Sequence, residues 1–338
     1  MINDESKMIK KRIGAHLKCL ICLSFIIFHS SFSPVGAQSL TFVELNCENL
    51  FDYLHDEGKQ DVEYLPESTR HWTKKRYWRK LNNIAQELLS CSEEGIPDMI
   101  ALCEVENVQA MHDLTKRSLL RQAGYEYLMT CSPDQRGIDV ALVYSPFKFA
   151  PIRSYSIRVQ PVNGMRATRD ILYVCGETTS GDTLHVFVVH QPSKYGGEKY
   201  SRPFRQAVAD RVCQSVDSIY AVSPEAKLLI AGDFNDGSDG HSLQRYYQHG
   251  LHNTTRGAKG CYGVKGTYRY KGEWESIDHI LASPAIYNKV YSSVIHTPLF
   301  VLEADTQYGG YRPRRTYNGM RYQPGYSDHL PLIVRFAF

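Results

Sequence analysis

The chain has 338 residues, 43% of them hydrophobic and 22% charged, an ordinary globular balance that excludes a collagen-like rod, low-complexity disorder and a polytopic membrane protein. Lys and Arg number 39 against 36 Asp and Glu, but residues 1–37 hold five of the bases and two of the acids, so the remainder carries 34 of each. With no global charge bias left, any attraction to phosphate has to be local.

In chain order, the first segment reads as a targeting sequence. Lys7, Lys10, Lys11, Arg12 and Lys18 precede an apolar run over 20–28, and Val35, Gly36 and Ala37 supply small residues for cleavage before Gln38. The run is short for a bilayer span; an uncleaved signal anchor is the alternative. The expectation is a signal peptide over 1–37, one domain over 38–338, and a secreted or periplasmic protein without membrane insertion after cleavage. No protein partner is inferred.

Strand-like runs follow at 40–47, 98–104, 138–144, 169–176, 183–190, 227–232, 277–282 and 331–337. Residues 73–90 place Trp78, Leu81, Ile84, Ala85, Leu88 and Leu89 at helical spacing. A second helix is expected over 107–122, begun by Asn107 as cap. A third, over 199–219, sets Phe204, Val208, Val212 and Val216 along one face. The basic stretch 72–80 reads as a solvated helix face. Thr179-Ser180-Gly181-Asp182 joins two strand runs directly, as a hairpin does. Helices separate only some of the strands, which suggests layered sheets with helices outside them. Seven cysteines remain beyond residue 37 without a CxxC pair, so a zinc cage is not expected. Cys103, inside an apolar run, reads as a small buried residue.

The polar residues fall at telling places. Phe42-Val43-Glu44-Leu45 leads to Asn46, Ile100-Ala101-Leu102-Cys103 to Glu104, residues 184–189 to His190, and residues 228–232 to Asp233 and Asn235. Strands lying side by side would bring these ends together, where α/β proteins bind ligands. Clustered carboxylates are costly unless a cation neutralises them. Oxygen ligands without cysteine point to a hard ion, Mg²⁺ first, with Mn²⁺ or Ca²⁺ as alternatives.

Asn46 within LNCENLFD, Glu104 within LCEVEN, Gly232-Asp233-Phe234-Asn235-Asp236, Ser276-Ile277-Asp278-His279 and Ser327-Asp328-His329-Leu330-Pro331 occur in that order. Together, over residues 40–338, they resemble the endonuclease/exonuclease/phosphatase superfamily of DNase I-like phosphoesterases, and within it a secreted bacterial nuclease-like branch. The resemblance implies an α/β fold: a four-layer sandwich of two mixed β-sheets face to face with helices on the outer faces. It implies that Asn46 and Asp328 join Glu104 around the metal, that Asp278 fixes the tautomer of His329, and that His190 protonates the leaving oxygen or stabilises transition-state charge. Relatives often carry Trp at the position of Gln191, a departure that bears on the pocket wall.

Chemistry supplies further roles. Glu104 is the best single metal ligand, a carboxylate at a strand end. Asp233 and Asn235, two apart, pair a water-activating acceptor with an amide donor for the phosphate; a plain Asp/Asn turn is the alternative. Arg136 could hold a phosphate oxygen or be a surface arginine. Segments 254–272 and 306–327 interleave tyrosines with cations, among them Arg314 and Arg315, and suit a nucleic-acid strand; a tyrosine-rich loop packed on itself is the alternative. The expected activity is a divalent-metal-dependent phosphodiesterase with a nucleic acid substrate, DNA or RNA. A phosphoesterase acting on a lipid or inositol phosphate headgroup shares the chemistry, and a catalytically dead binding module shares the fold.

Overall fold

Strands that stay apolar on both faces have to be covered on both sides, and the architecture follows from that need. The computed structural model describes residues 39–92 and 95–338; the expected signal segment lies outside the described residues. The strands in the first half are β1 (Ser39–Leu50), β2 (Met99–Val105), β3 (Glu126–Met129), β4 (Asp139–Tyr144), β5 (Phe149–Ile157) and β6 (Ile171–Thr178). There follow β7 (Thr183–His190), β8 (Lys227–Asp233), β9 (His252–Asn253), β10 (Tyr268–Tyr270), β11 (Glu273–Glu275) and β12 (Asp278–Ala282). The last are β13 (Val290–Ile295), β14 (Leu302–Ala304), β15 (Tyr311–Pro313), β16 (Tyr317–Asn318), β17 (Arg321–Tyr322) and β18 (Leu332–Ala337). The helices are α1 (Lys74–Leu89), α2 (Val108–His112), α3 (Glu198–Val222), α4 (His241–Gln248) and α5 (Pro284–Tyr287).

Two six-stranded sheets result, ordered β13-β18-β1-β2-β4-β3 and β5-β6-β7-β8-β12-β9, while β10-β11, β14-β15 and β16-β17 are two-stranded ribbons. Each sheet is mixed, with one parallel pair at its centre, β1 with β2 and β7 with β8. Between the sheets lie Phe42, Ala101 and Leu142 from one and Val174, Val186 and Leu229 from the other. Alternate residues point outward: Val43, Leu45 and Ile100 meet Tyr77, Leu81 and Ile84 of α1. Phe187 and Ile230 meet Val208, Val212 and Val216 of α3. The expected four-layer sandwich is the observed fold. No helix among the described residues is long and apolar enough to cross a membrane.

One local expectation fails and a second holds in part. The helix read over 107–122 is broken: α2 ends at His112, residues Asp113–Arg117 form a π-turn and Leu119–Gln122 a 3₁₀ turn. The hydroxyls of Thr115 and Ser118 compete for the carbonyls of Met111 and Leu114, a known cause of bending. Asn107 does cap α2, accepting from the Ala110 amide at 2.9 Å. The stretch 72–80 is solvated on one side, where Lys74, Lys75 and Arg79 are exposed, whereas Trp72, Tyr77 and Lys80 are buried on the other.

α1 also buries Glu87 with neither carboxylate oxygen hydrogen-bonded. Burial pushes its pKa from the ordinary 4.5 up to about 8, against the pull of Lys80. A carboxyl raised in the folded state contributes stability that is full below its unfolded pKa and lost as pH rises through the folded one. Glu87→Gln is therefore expected to raise the melting temperature by several degrees at pH 9 and to change it little at pH 5. Melts of both proteins across that range check this, and equal shifts at the two pH values would contradict it.

Candidate functional site

The carboxyl ends of the two central parallel pairs meet at one end of the sandwich. In the second sheet, register alone brings three groups together: His190 lies opposite Asp233, and Asp233 opposite Asp278. Gly232 makes that approach feasible, because a Cβ there would stand 1.8 Å from the Val189 carbonyl oxygen. In the first sheet, the register shifts after Asn46 in β1 and around Glu104 in β2, the signature of bulges that re-aim side chains. Glu48, Asn49, Glu104 and Asn235 all adopt left-handed backbone, with φ of 51°, 54°, 61° and 49°. Non-glycine residues persist there only when their surroundings hold them, and such residues cluster at active sites. The segment before β18 is pinned beside β1: the Ser327 hydroxyl donates to the Asn46 carbonyl at 2.6 Å and accepts from the His329 amide at 3.1 Å.

Asp233 is the hub. Its Oδ2 accepts from Asn46 Nδ2 and Asn235 Nδ2, each at 3.1 Å, and faces His190 Nε2 at 3.5 Å. Burial and the neighbouring Asp278 push the Asp233 carboxyl up to about 7. His190 Nε2 also faces Glu104 Oε1 at 3.9 Å, while its Nδ1 is buried without a partner; the ring proton therefore belongs on Nε2. Burial, with Arg169 and Arg136 adding repulsion, holds His190 well below the ordinary histidine range. His329 has the opposite charge state. Burial opposes its protonation, but Asp278, whose Oδ2 lies 2.8 Å from Nδ1, prevails with help from Asp328 and holds it well above that range. Neutral and cationic imidazoles thus face the same crowd of carboxylates.

Asn46, Glu104, His190, Asp233, Asn235, Asp278, Asp328 and His329 come together. Arg136 stands at one flank, with Nη2 donating to Asn49 Oδ1 at 2.6 Å and 3.6 Å from Glu104 Oε1. Arg315 stands at the other, donating to Asp328 Oδ2 at 2.5 Å, with its Nε 3.9 Å from Glu48 Oε1. Arg314 does not join them. Its amide donates to Val301 and its carbonyl accepts from Tyr326, and in this extended segment adjacent side chains diverge. The Asn235 amide is not free for a ligand as expected; it donates to Asp233 and to the Gln191 carbonyl at 3.0 Å. Gln191 is no pocket wall, being buried with its amide donating to the Tyr246 hydroxyl at 2.9 Å.

The sequence reading gave no role to three residues here. Glu48 joins Lys80 (3.3 Å), Arg315 and the Thr316 amide (2.7 Å). Asn49 donates its amide to Glu104 Oε2 at 2.8 Å. Glu44 is buried without a hydrogen bond, and burial, with Asp278 and Asp233, pushes its carboxyl well above the usual range. The available signal was the run of polar residues where β1 should have stayed apolar.

The donors fit a divalent ion. Glu104 Oε1 has only distant neighbours, Arg136 and His190. Asp328 stays ionised because His329, Arg315 and Lys80 outweigh its burial. Carboxylate and amide oxygens are what a hard cation takes. Asp233, Asp278 and His329 also place donor atoms within 4.8 Å of one another, but His329 Nδ1 is already engaged by Asp278 at 2.8 Å, so the Asp278–His329 pair reads as a hydrogen-bonded relay beside Asp233.

The model of the endonuclease/exonuclease/phosphatase family matches residues 41–337. No curated protein matches the sequence. Among solved structures, a family protein from Bacteroides thetaiotaomicron is similar at 18% identity and a TM-score of 0.59, over 89% of this chain and 98% of that one. A mannosyl-6-phosphatase of Bacteroides thetaiotaomicron VPI-5482 is similar at 18% identity and 0.60, over 88% and 100%. The human Nocturnin catalytic domain is similar at 17% and 0.55, over 92% and 97%. At these identities the likeness concerns the fold.

Asp278→Asn is expected to bring the His329 pKa down towards the ordinary value of about 6.5. A ¹⁵N NMR titration of the metal-free protein reads it directly, and an unmoved imidazole would remove Asp278 from the relay.

Proposed function

The chain belongs to the endonuclease/exonuclease/phosphatase family and is a phosphoester hydrolase; on that premise we propose a divalent-metal-dependent phosphodiesterase that cleaves nucleic acid. One observation carries the choice of a diester. The carboxylate and imidazole centre is flanked on both sides rather than closed at one end. Beyond Arg136 lies a cavity of about 240 Å³. Beyond Arg315 and Asp328 lies another, walled by Tyr268, Tyr270 and Tyr308, and a third, walled by Tyr64, Trp72 and Tyr317, reaches from Arg315 to Asn49, the partner of Arg136. A diester continues in two directions from phosphorus, and cations with aromatic faces suit its nucleotides. The segment over 1–37 supports a secreted or periplasmic location.

In this reading Glu104, Asn46 and Asp328 hold the ion, Mg²⁺ first. When bound, it neutralises charge on the phosphoryl oxygens. Asp233, buried and poised near neutrality, takes a proton from the attacking water, and Asn46 and Asn235 hold its carboxylate in place. His329, cationic on Asp278, presents Nε2–H to a phosphoryl oxygen as a fixed charge. His190, neutral with its proton on Nε2, donates a hydrogen bond that stabilises charge on the leaving oxygen, which takes its proton from solvent. Arg136, 3.6 Å from Glu104, positions the scissile phosphate, and Arg315 a neighbouring one.

The test is a substrate panel with purified protein: plasmid DNA, single-stranded DNA, RNA, sugar 6-phosphates, sphingomyelin and inositol polyphosphates, each with Mg²⁺ or with EDTA. Polynucleotide scission that EDTA abolishes is expected. Release of phosphate or phosphocholine without scission would overturn the reading. His190→Ala and Asp233→Ala should each lower turnover about 100-fold or more. Arg315→Ala should raise KM for polynucleotide and flatten its salt dependence, whereas Arg314→Ala should do neither.

A further inference from the structure

The cavity beyond Arg136 has features the hydrolytic centre does not use. Its floor is tied to the end of β7: the buried Arg169 donates to the His190 carbonyl at 3.2 Å, to the Gln191 carbonyl at 2.8 Å and to Asp134 at 3.1 Å. The pocket therefore sits on the His190 side of the centre. Thr168 lines it and is 3% exposed, yet its hydroxyl has no hydrogen-bond partner. Leaving a buried hydroxyl unpaired is unfavourable, and a ligand polar group would satisfy it. Two lining tyrosines are solvent-exposed, Tyr195 at 85% and Tyr200 at 55%, with the ring of Tyr200 packed against Gly196. Tyr200 is held in place, its hydroxyl donating to the Gly164 carbonyl at 3.2 Å and its ring edge-on to Phe204 at 5.1 Å. Arg166 stands exposed at the rim, in no ion pair among the described residues.

We propose that this pocket is the subsite for the nucleoside on the leaving side of the scissile phosphate, one unpaired base stacking on Tyr195 and Tyr200 while a polar edge meets Thr168 Oγ1. The assignment rests on the phosphodiesterase reading and deepens it. About 240 Å³ is below the ~300–1,000 Å³ of drug-sized ligand sites, so the space takes a single unit and requires it out of a duplex. Arg136 holds the scissile phosphate at the inner edge, and Arg166 meets the next phosphate outward. Stacking is indifferent to base identity, so the subsite selects strandedness more than sequence.

Adenosine and ribose carry no ester bond, so their binding is read without turnover. Ligand-observed NMR with Mg²⁺ present should give adenosine an affinity about tenfold or more above that of ribose. Tyr195→Ala, at a residue too exposed to threaten folding, and Thr168→Val, which keeps shape and removes the hydroxyl, should each reduce that preference severalfold. Equal affinities for adenosine and ribose, or a preference that survives both substitutions, would overturn the subsite. Absence of polynucleotide scission with the adenosine preference intact would instead fault the nucleic acid reading and leave the pocket as a nucleoside site.

Discussion

Five ionisable acids share the end of this sandwich, and their mutual repulsion is the constraint the rest of the site answers. Glu48, Glu104, Asp233, Asp278 and Asp328 each meet a fixed cation or a proton. Lys80 and Arg315 serve Glu48, Arg315 serves Asp328, Arg136 approaches Glu104, and His329 serves Asp278. Asp233 is left with amide donors alone and responds by holding its proton up to about pH 7. Beneath them burial, with Asp278 and Asp233, pushes the Glu44 carboxyl well above the usual range, which disfavours a further charge there. The arrangement leaves Glu104 Oε1 with only distant compensation from Arg136 and His190, so an external cation gains there.

The two histidines show how a fold separates two identical side chains. Both are buried, so solvent does not distinguish them. His329 has a carboxylate on its inner nitrogen, whereas the inner nitrogen of His190 has nothing. Protonation is favoured on the first and disfavoured on the second. Like pairs of groups with separated pKa values elsewhere, they divide labour by environment and not by chemistry.

Much of this was legible in the sequence, for a physical reason. Strands buried on both faces are near-continuous apolar runs, so polar residues at their ends stand out, and Asn46, Glu104, His190 and Asp233 gather at one end of the sandwich. The second sheet is the clearest example: its register needs no irregularity to bring His190, Asp233 and Asp278 together. The first sheet was harder. Its bulges reverse the side on which Glu48 and Glu104 project, and alternation gives no warning of a bulge. Choosing between Arg314 and Arg315 required the register of one extended segment, which no periodicity reports. Lys80 looked like a solvated base because its partners, Glu48, Thr316 and Tyr326, are distant in sequence.

The site straddles two sheets that are joined by apolar packing, with Asn46 of one donating to Asp233 of the other at 3.1 Å. Apolar packing tolerates sliding far better than a hydrogen bond of that length does. A slip of the layers by a fraction of a residue spacing would leave the core oily and the secondary structure intact while the hydrolytic centre came apart. Activity in this protein is therefore a strain gauge for sheet alignment, expected to fade under mild denaturant before the circular dichroism changes.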